Sequence, residues 1–272
     1  MNSLVSADWL AANLDQVVVL DGSYYLATMG KNADEEFRRG HIPGAQRWDI
    51  DVIADTSSDL KHMMPSPGVV ARAAGARGIS KETQVVVYDQ LGMFSAARVW
   101  LTLKTIGHEN VALLDGGLPS WRGELASGDA AAAQQTTYDE HSAHPLTVDS
   151  KAVLGALNGA DALVLDARSA ARFNSLAPEP VAGLKSGHMP GALNIPYDHL
   201  LTNDGRFKST DELREIFAEV GVSGDEQLIT SCGSGVTASI VTFALAMLGI
   251  ESLVYDGSWS EWGRPELDLP VV

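Results

Sequence analysis

The sequence contains very little cysteine: among its 272 residues there is a single one, Cys232. One cysteine excludes an internal disulfide, and it also excludes a structural zinc site built from paired thiolates. The seven histidines are scattered, and no glycine-rich phosphate loop followed by lysine is present, so we expect neither a metal nor an organic cofactor. Cys232 is therefore either an inert buried residue or a reactive thiol.

Long hydrophobic runs and positive charge are also scarce. No stretch approaches the roughly 18 uninterrupted apolar residues of a membrane span, and residues 1–14 lack the basic and apolar regions of a signal peptide. The 19 lysines and arginines are outnumbered by 35 acidic residues, which gives a formal net charge of −16. This charge disfavours nucleic acid and anionic membranes as partners. We therefore expect a soluble, cytoplasmic protein that binds neither.

The sequence also repeats itself. Residues 40–45, Gly-His-Ile-Pro-Gly-Ala, return 147 positions later as residues 187–192, Gly-His-Met-Pro-Gly-Ala. A hydrophobic run that ends in aspartate occurs at residues 17–21 and again at residues 162–166. Because these landmarks recur in the same order at similar spacings, the sequence indicates an internal duplication.

Such a duplication predicts two domains of ordinary size. We place the N-terminal domain at residues 1–125 and the C-terminal domain at residues 147–272. The stretch 126–146 between them lacks hydrophobic periodicity and is rich in alanine, glutamine and threonine. It is therefore predicted to be a linker.

Within each half, short β-branched runs alternate with stretches typical of helices. Apolar runs without polar alternation are characteristic of buried parallel strands. The alternation predicts an α/β fold in which each domain is a parallel sheet flanked by helices, with ligands bound beyond the carboxyl ends of the strands. The predicted strands are 16–20, 84–88, 112–114, 162–165, 227–230 and 253–255, and the predicted helices include 96–106, 210–220 and 236–248.

Cys232 lies at one of these strand ends. Residues 227–231 lead into the loop 232–237, Cys-Gly-Ser-Gly-Val-Thr, and an apolar helical stretch begins near Ala238. The amides of a glycine-rich loop and the positive end of the following helix would hold an anion at this point. The setting therefore favours a thiolate nucleophile over an inert cysteine. The loop residues expected to contact a substrate are Gly233, Gly235, Val236 and Thr237.

Three motifs carry a family resemblance: the two His-x-Pro-Gly-Ala motifs, Cys-Gly-Ser-Gly-Val-Thr-Ala at residues 232–238, and Asp-Gly-Ser-Trp-x-Glu-Trp at residues 256–262. With them the whole chain resembles the tandem-domain rhodanese family, and its cysteine loop resembles that of 3-mercaptopyruvate sulfurtransferases. In that family only the C-terminal domain carries the cysteine. Here Asp89 aligns with Cys232, so the first domain is expected to be catalytically silent, with Asp89 either lining the cleft or solvated in a loop.

The resemblance implies a sulfurtransferase. Sulfur would move from 3-mercaptopyruvate through a persulfide on Cys232 to a thiol such as thioredoxin or glutathione, or to cyanide, with release of pyruvate. The resemblance also implies that Arg172 binds the donor carboxylate. It further implies that the hydroxyl of Ser234 relays a proton together with a histidine of the first domain, a position that His41 matches.

The choice of donor rests on two further features. Rhodaneses that prefer thiosulfate carry arginine or lysine where Gly233 and Ser234 stand here, and a small neutral loop suits a thiol that bears a carboxylate. Many mercaptopyruvate enzymes have a second arginine where this sequence has Val181, with Lys185 as a nearby substitute cation. A thiosulfate:cyanide sulfurtransferase and a non-catalytic persulfide carrier therefore stay as alternatives. A cysteine phosphatase is disfavoured because Ala238 occupies the position of its phosphate-binding arginine.

Overall fold

The computed structural model describes most of the chain, namely residues 3–139, 145–159, 162–224 and 226–272. The described residues form two compact units, each of which contains most of one half of the sequence. One short segment of the first half, Ser57–Met63, belongs to the second unit. The first unit comprises the described residues of Met1–Thr56, Met64–Pro145 and Asn203–Arg206; the second comprises those of Ser57–Met63, Leu146–Thr202 and Phe207–Val272.

The first unit alternates strands and helices along the chain, as the sequence predicts. Its third helix begins with a proline in its first turn, a position that needs no amide donor. The elements are β1 (Leu4–Val5), α1 (Ala7–Ala12), β2 (Val18–Asp21), α2 (Ala33–Arg39), β3 (Gln46–Arg47), α3 (Pro67–Ala76), β4 (Val85–Tyr88), α4 (Ala96–Lys104), β5 (Val111–Leu114) and α5 (Gly117–Ser120).

The second unit repeats this order. A capping box begins its helix α8, where the Ser209 hydroxyl accepts the amide of Glu212 and the Glu212 carboxylate accepts the amide of Ser209. The elements are β6 (Thr147–Val148), α6 (Ser150–Asn158), β7 (Ala162–Asp166), α7 (Ala170–Phe173), β8 (Leu193–Asn194), α8 (Thr210–Glu219), β9 (Gln227–Ser231), α9 (Ala238–Met247), β10 (Leu253–Tyr255) and α10 (Ser258–Trp262).

Each unit is built on one five-stranded parallel sheet. The strand order is β1-β5-β4-β2-β3 in the first sheet and β6-β10-β9-β7-β8 in the second, so that β4 and β9 are the central strands. All four residues of β4 are buried, which fits a sheet covered by helices on both faces. The predicted α/β fold with a parallel sheet in each half is confirmed, and the duplication extends to the strand order.

The described part of the predicted linker packs along the first unit. The amide of Thr136 donates to the carbonyl of Gly75 at 2.9 Å, and Nε2 of Gln46 donates to the carbonyl of Ala131 at 2.8 Å. A Cβ atom at Gly75 would stand only 2.4 Å from the carbonyl oxygen of Thr136, so α3 and this segment are in close contact. Residues 140–144 of the predicted linker lie outside the described residues.

The described helices are all too short or too polar to cross a lipid bilayer. The hydrophobic residues of each unit instead pack around its own sheet. Trp259 and Trp262 are fully buried in the core of the second unit, beside the sheet residues Ile229 and Tyr255.

The buried His108 is expected to make the stability of the first unit dependent on pH. Burial lowers its pKa, and the nearby Lys104 lowers it further. In the unfolded chain a histidine takes up a proton below about pH 6.5, whereas the folded protein resists that protonation, so this contribution to stability is lost as the pH falls through that value. We expect the free energy of unfolding to drop less between about pH 7.5 and about pH 5 in His108→Phe than in the parent protein.

Urea unfolding at the two pH values measures this difference. The exposed His199 provides the matched control, since His199→Phe should leave the pH dependence of the parent protein intact. An equal drop in the parent protein and in His108→Phe would show that His108 does not carry the effect.

Candidate active site

Cys232 lies at the carboxyl end of the central strand of the second sheet. It follows Ser231, the last residue of β9, and it precedes α9, which begins at Ala238. The thiol is free, and only 2% of the residue is exposed. The chain thus places its one cysteine where parallel α/β sheets commonly bind ligands.

The hydroxyl of Ser258 fixes the shape of the cysteine loop. Its oxygen accepts the backbone amides of Cys232 and Gly235, both at 3.1 Å, and donates to the carbonyl of Tyr255 at 2.8 Å. Gly235 has a φ of 75°, a left-handed conformation that glycine adopts without strain. Because its amide is bound to Ser258, Gly235 contributes a turn to the loop rather than an open donor.

The carbonyls of the loop are held by α10. The amide of Trp259 donates to the carbonyl of Cys232 at 3.0 Å. The carbonyl of Gly233 accepts both the amide and the hydroxyl of Ser260, at 2.8 and 2.7 Å. In a trans peptide the carbonyl and the following amide point in opposite directions, so the amides of Gly233 and Ser234 face away from α10.

Several amides of the loop are open. Within the described residues, the amides of Gly233, Ser234, Val236 and Thr237 donate to no other group of the protein. Amides withdrawn from solvent are normally paired, and a cluster of them is suited to an anion. The loop can therefore stabilise negative charge on the sulfur of Cys232 or on a group attached to it.

The first unit contains a loop at the corresponding position, with a carboxylate in place of the thiol. Asp89 follows the central strand β4 and is fully buried. Its Oδ2 atom accepts the amides of Phe94, Ser95 and Ala96 at 2.8 to 2.9 Å, and Oδ1 accepts the amide of Leu91 at 3.0 Å. Burial raises the pKa of the Asp89 carboxyl, while these amides act in the opposite direction. The alternative of a solvated loop carboxylate is therefore wrong, because Asp89 is an internal ligand of its own loop.

Arg172, which was predicted to bind the donor, lies against the cysteine loop. Its Nη2 atom is 3.2 Å from the point where a Cβ atom would stand at Gly233, so the missing side chain leaves room for the guanidinium. The side chain of Arg172 is 22% exposed and can be reached by a ligand. The structure thus brings a cation and the loop of Cys232 together, as the sequence predicts.

Arg172 is hydrogen-bonded to a buried cluster of charged side chains. Glu179 accepts its Nε at 3.1 Å and also its Nη2. The other oxygen of Glu179 accepts Nη1 of the buried Arg168 at 2.7 Å. Arg168 in turn donates to both oxygens of Asp166, and its guanidinium lies 3.9 Å from the ring centroid of Trp259. Two arginines and two carboxylates therefore balance each other beside the loop.

Val181 and Lys185, the two other positions relevant to donor binding, do not contact the cysteine loop in the way that Arg172 does. Val181, which stands where many relatives have a second arginine, is exposed. Lys185 donates its Nζ to the carbonyl of Leu269 at 3.1 Å, which ties the C-terminal stretch to the loop between α7 and β8. Arg172 is the cation that the structure places against Gly233.

His41 and its repeat copy His188 have the same surroundings. Nδ1 of His41 donates to the carbonyl of Phe37 at 2.8 Å, and its ring stacks on that of Phe37 with centroids 3.9 Å apart. His188 makes the same two contacts with Phe173, at 2.9 and 3.8 Å. These shared contacts are structural. His41 belongs to the first unit, and its relay with Ser234 stays a prediction.

Another histidine of the first half belongs to the unit that carries Cys232. His62 is a buried residue of the segment Ser57–Met63, and its φ of 63° is unusual for a residue other than glycine. Asp59 of this segment pairs with Arg264 at 2.7 Å, and Nε of Arg264 donates to the carbonyl of Ser260 at 3.1 Å. Because Ser260 also binds the cysteine loop, the segment is linked to that loop through two residues.

Sequence reasoning did not find Ser258, Glu179 or His62. The sequence does contain a signal for Ser258, because this residue of the motif 256–262 aligns with Gly117 in the first half. Both residues have a left-handed backbone, with φ of 49° at Ser258 and 54° at Gly117. Glu179 stands two residues before Val181, between two prolines, and nothing in this local sequence indicates that it pairs with two arginines. His62 lies outside the motifs that recur in the two halves of the sequence.

Two corresponding loops, one holding a thiol and the other a carboxylate, define a tandem-domain α/β protein whose single cysteine lies at the end of the central strand of the second sheet. The profile of the rhodanese-like domain family matches residues 6–124 and 149–265, and the chain belongs to this family. The resemblance inferred from the motifs is thereby confirmed.

Individual relatives span nearly the whole chain. A 3-mercaptopyruvate sulfurtransferase of Escherichia coli strain K12 is 42% identical over 275 residues, which cover 98% of this chain and 96% of the relative. A thiosulfate sulfurtransferase of Cricetulus griseus is 36% identical over 272 residues, which cover 96% and 91%. The crystal structure of a 3-mercaptopyruvate sulfotransferase from Escherichia coli matches with a TM-score of 0.83 at 39% identity, covering 96% of this chain and 100% of that one.

Substitutions of Ser258 test its hold on the loop. In Ser258→Ala two buried amides lose their acceptor while the left-handed backbone is retained, and we expect the free energy of unfolding to fall by about 3 kcal/mol. Ser258→Gly loses the same hydrogen bonds but relieves the backbone strain, so its loss should be smaller by about 1 kcal/mol. Urea unfolding measures both values. Parent-like stability in both variants would contradict the assigned role.

Proposed function

We propose that this protein is a sulfurtransferase that takes sulfur from 3-mercaptopyruvate, carries it as a persulfide on Cys232, and passes it to a thiol or to cyanide. The observation that carries the proposal is the position of Arg172 against Gly233, in the loop that follows the buried thiol of Cys232. The names of the two relatives, which differ in the sulfur donor and agree on sulfur transfer, support it.

In the first half-reaction the thiolate of Cys232 attacks the sulfur of the donor. A sulfur–sulfur bond forms and the carbon–sulfur bond of the donor breaks, with its electron pair passing to the carbon to give pyruvate enolate. One proton then converts the enolate to pyruvate. The terminal sulfur of the persulfide is anionic, and the open amides of the loop stabilise that charge.

In the second half-reaction an acceptor attacks the terminal sulfur. A thiolate such as that of thioredoxin or glutathione, or cyanide, forms a bond to this sulfur, and Cys232 leaves as a thiolate. The enzyme returns to its starting state, so the kinetics should be of the ping-pong type. Because Cys232 is 2% exposed, the acceptor has to reach into the loop rather than meet the sulfur at the surface.

The loop favours a thiol that bears a carboxylate over thiosulfate. Thiosulfate is a compact dianion, and Gly233 and Ser234 supply no cation beside the sulfur. Arg172 can bind a single carboxylate with its remaining donors. Thiosulfate is the second donor to compare, because a relative of 36% identity is named for it.

Separate incubation with 3-mercaptopyruvate and with thiosulfate tests the donor. We expect 3-mercaptopyruvate to add one sulfur atom to the intact mass and to release one equivalent of pyruvate, with neither change in Cys232→Ser. Arg172→Gln should raise the KM for 3-mercaptopyruvate by about tenfold, because the carboxylate loses a charged partner. The exposed Arg214 is the matched control, since Arg214→Gln should leave the KM unchanged.

Each other outcome selects an alternative. Loading by thiosulfate alone would make the protein a thiosulfate sulfurtransferase and would refute the argument from the neutral loop. Loading by neither donor, but by a persulfidated protein, would favour the carrier function, for which Arg172 is dispensable.

We further propose His62 as the histidine that relays the proton to the enolate with Ser234, as an alternative to His41. The resemblance calls for a histidine of the first half, and His62 is part of the unit that contains Cys232. The contacts of His41 are matched by His188, which has no relay to serve, so they do not by themselves indicate catalysis.

Asparagine substitutions distinguish the two histidines. His62→Asn keeps a residue that tolerates a left-handed backbone, and it should lower kcat for pyruvate release by about tenfold or more through loss of general acid catalysis. His41→Asn should lower the thermal midpoint and leave kcat close to that of the parent protein. Steady-state kinetics and thermal unfolding measure both effects. The reverse result would assign the relay to His41.

A further inference from the structure

The carboxylate of Glu179 divides its two oxygens between two arginines. Oε1 accepts Nη1 of Arg168 at 2.7 Å, whereas Oε2 accepts Nε of Arg172 at 3.1 Å and also its Nη2. The side chain of Glu179 is only 3% exposed. Such a carboxylate interacts strongly with both partners because water screens it little.

The Arg168 end of this bridge is rigid. The guanidinium of Arg168 donates to both oxygens of Asp166 and to the carbonyl of Gly187 at 2.9 Å. The ring of Trp259 packs against it, and the side chain is fully buried. With its donors engaged on several sides, Arg168 has little freedom, and it therefore fixes the position of Glu179.

The Arg172 end faces the cysteine loop. Glu179 engages the Nε and Nη2 edge of the guanidinium with a single oxygen, which leaves Nη1 and one hydrogen of Nη2 for another partner. Nη2 lies beside Gly233, the residue that follows the nucleophile. Glu179 thus determines which edge of the Arg172 guanidinium faces the loop.

Glu179 also compensates the charge of Arg172. The two guanidinium groups of the cluster are balanced by Asp166 and Glu179, so a donor meets a cation that already has an anionic partner. The electrostatic energy of binding scales with the charge of the ligand. The partial neutralisation of Arg172 by Glu179 therefore weakens the binding of a dianion more than that of a monoanion. A monoanion that hydrogen-bonds well to Arg172 loses less binding energy.

On the basis of the proposed function, we infer that Glu179 is a positioning and specificity-determining residue. It orients Arg172 toward a carboxylate, and it lowers the local positive charge so that the monoanionic 3-mercaptopyruvate is preferred over the dianionic thiosulfate. Glu179 acts through Arg172 and takes no direct part in bond making.

The test compares the two donors with cyanide as the common acceptor and thiocyanate as the common product. In Glu179→Gln the ratio of kcat/KM for thiosulfate to that for 3-mercaptopyruvate should rise by about tenfold. The change should lie mainly in the two KM values, because the group acts on donor binding. The exposed Glu266 is the matched control, and Glu266→Gln should leave the ratio unchanged.

The same measurement in an Arg172→Gln background separates positioning from a general structural effect. If Glu179 acts through Arg172, the shift in donor ratio should vanish when Arg172 is absent. A shift of equal size in both backgrounds would overturn the inference, as would an equal loss for both donors in a folded Glu179→Gln protein.

A second variant covers the case in which Glu179→Gln does not fold. Glu179→Asp keeps the negative charge for Arg168 but is one methylene shorter, so it should release Arg172 and shift the donor ratio in the same direction by about threefold. An unchanged ratio in this variant would overturn the inference. A parent protein that turns over neither donor would instead refute the proposed function itself.

Discussion

Backbone amides that converge at the end of a central strand are the constraint on which both units depend. Amides withdrawn from water need an acceptor, and a loop that gathers several of them is stable only when an anion or another acceptor meets them. In the first unit Asp89 supplies that acceptor from within the chain. In the second unit the corresponding residue is Cys232, and part of the loop stays open to an anion formed there. The residue that follows the central strand thus differs between the two loops, being a carboxylate bound by the amides of its own loop in the first and a thiol in the second.

The open loop keeps its shape through contacts that the filled loop does not need. In both units the residue that follows the central strand has its carbonyl bound by a backbone amide of the following strand–helix connection. The amide of Leu118 donates to the carbonyl of Asp89 at 2.9 Å, and the amide of Trp259 donates to the carbonyl of Cys232 at 3.0 Å. The residue before each of these amides is left-handed. In the first unit it is Gly117, where a Cβ atom would stand 2.5 Å from the carbonyl of Asp89. In the second unit it is a serine whose strained backbone is offset by a hydroxyl that holds two loop amides.

The sequence predicted the parts of this structure that depend on local pattern. β-Branched runs located the central strands, because strands buried on both faces have to be apolar, and glycines next to Cys232 indicated the turn that follows. The partners of the loop were harder to predict because they come from distant positions. Ser258 reaches the loop from the next strand–helix connection, and Glu179 from the loop after α7. The segment that contains His62 belongs by sequence to the first half and by packing to the second unit. Such pairings follow from tertiary packing, which spacing alone does not encode.

The charge cluster of Asp166, Arg168, Arg172 and Glu179 shows how a cation can be placed beside the loop of Cys232 in an acidic protein. An isolated arginine near the buried sulfur would carry a large desolvation cost, and it would attract any anion without distinction. Sharing Glu179 with Arg168 reduces that cost because each guanidinium is paired and hydrogen-bonded. The same sharing fixes the edge of Arg172 that a ligand meets. Under the proposed function, selection among sulfur donors would depend both on the positive charge that remains near Cys232 and on the direction in which the remaining hydrogen-bond donors of Arg172 point. Because Gly233, Ser234 and Val181 provide no charge, both factors in the proposed site would be set by Arg172 together with Glu179.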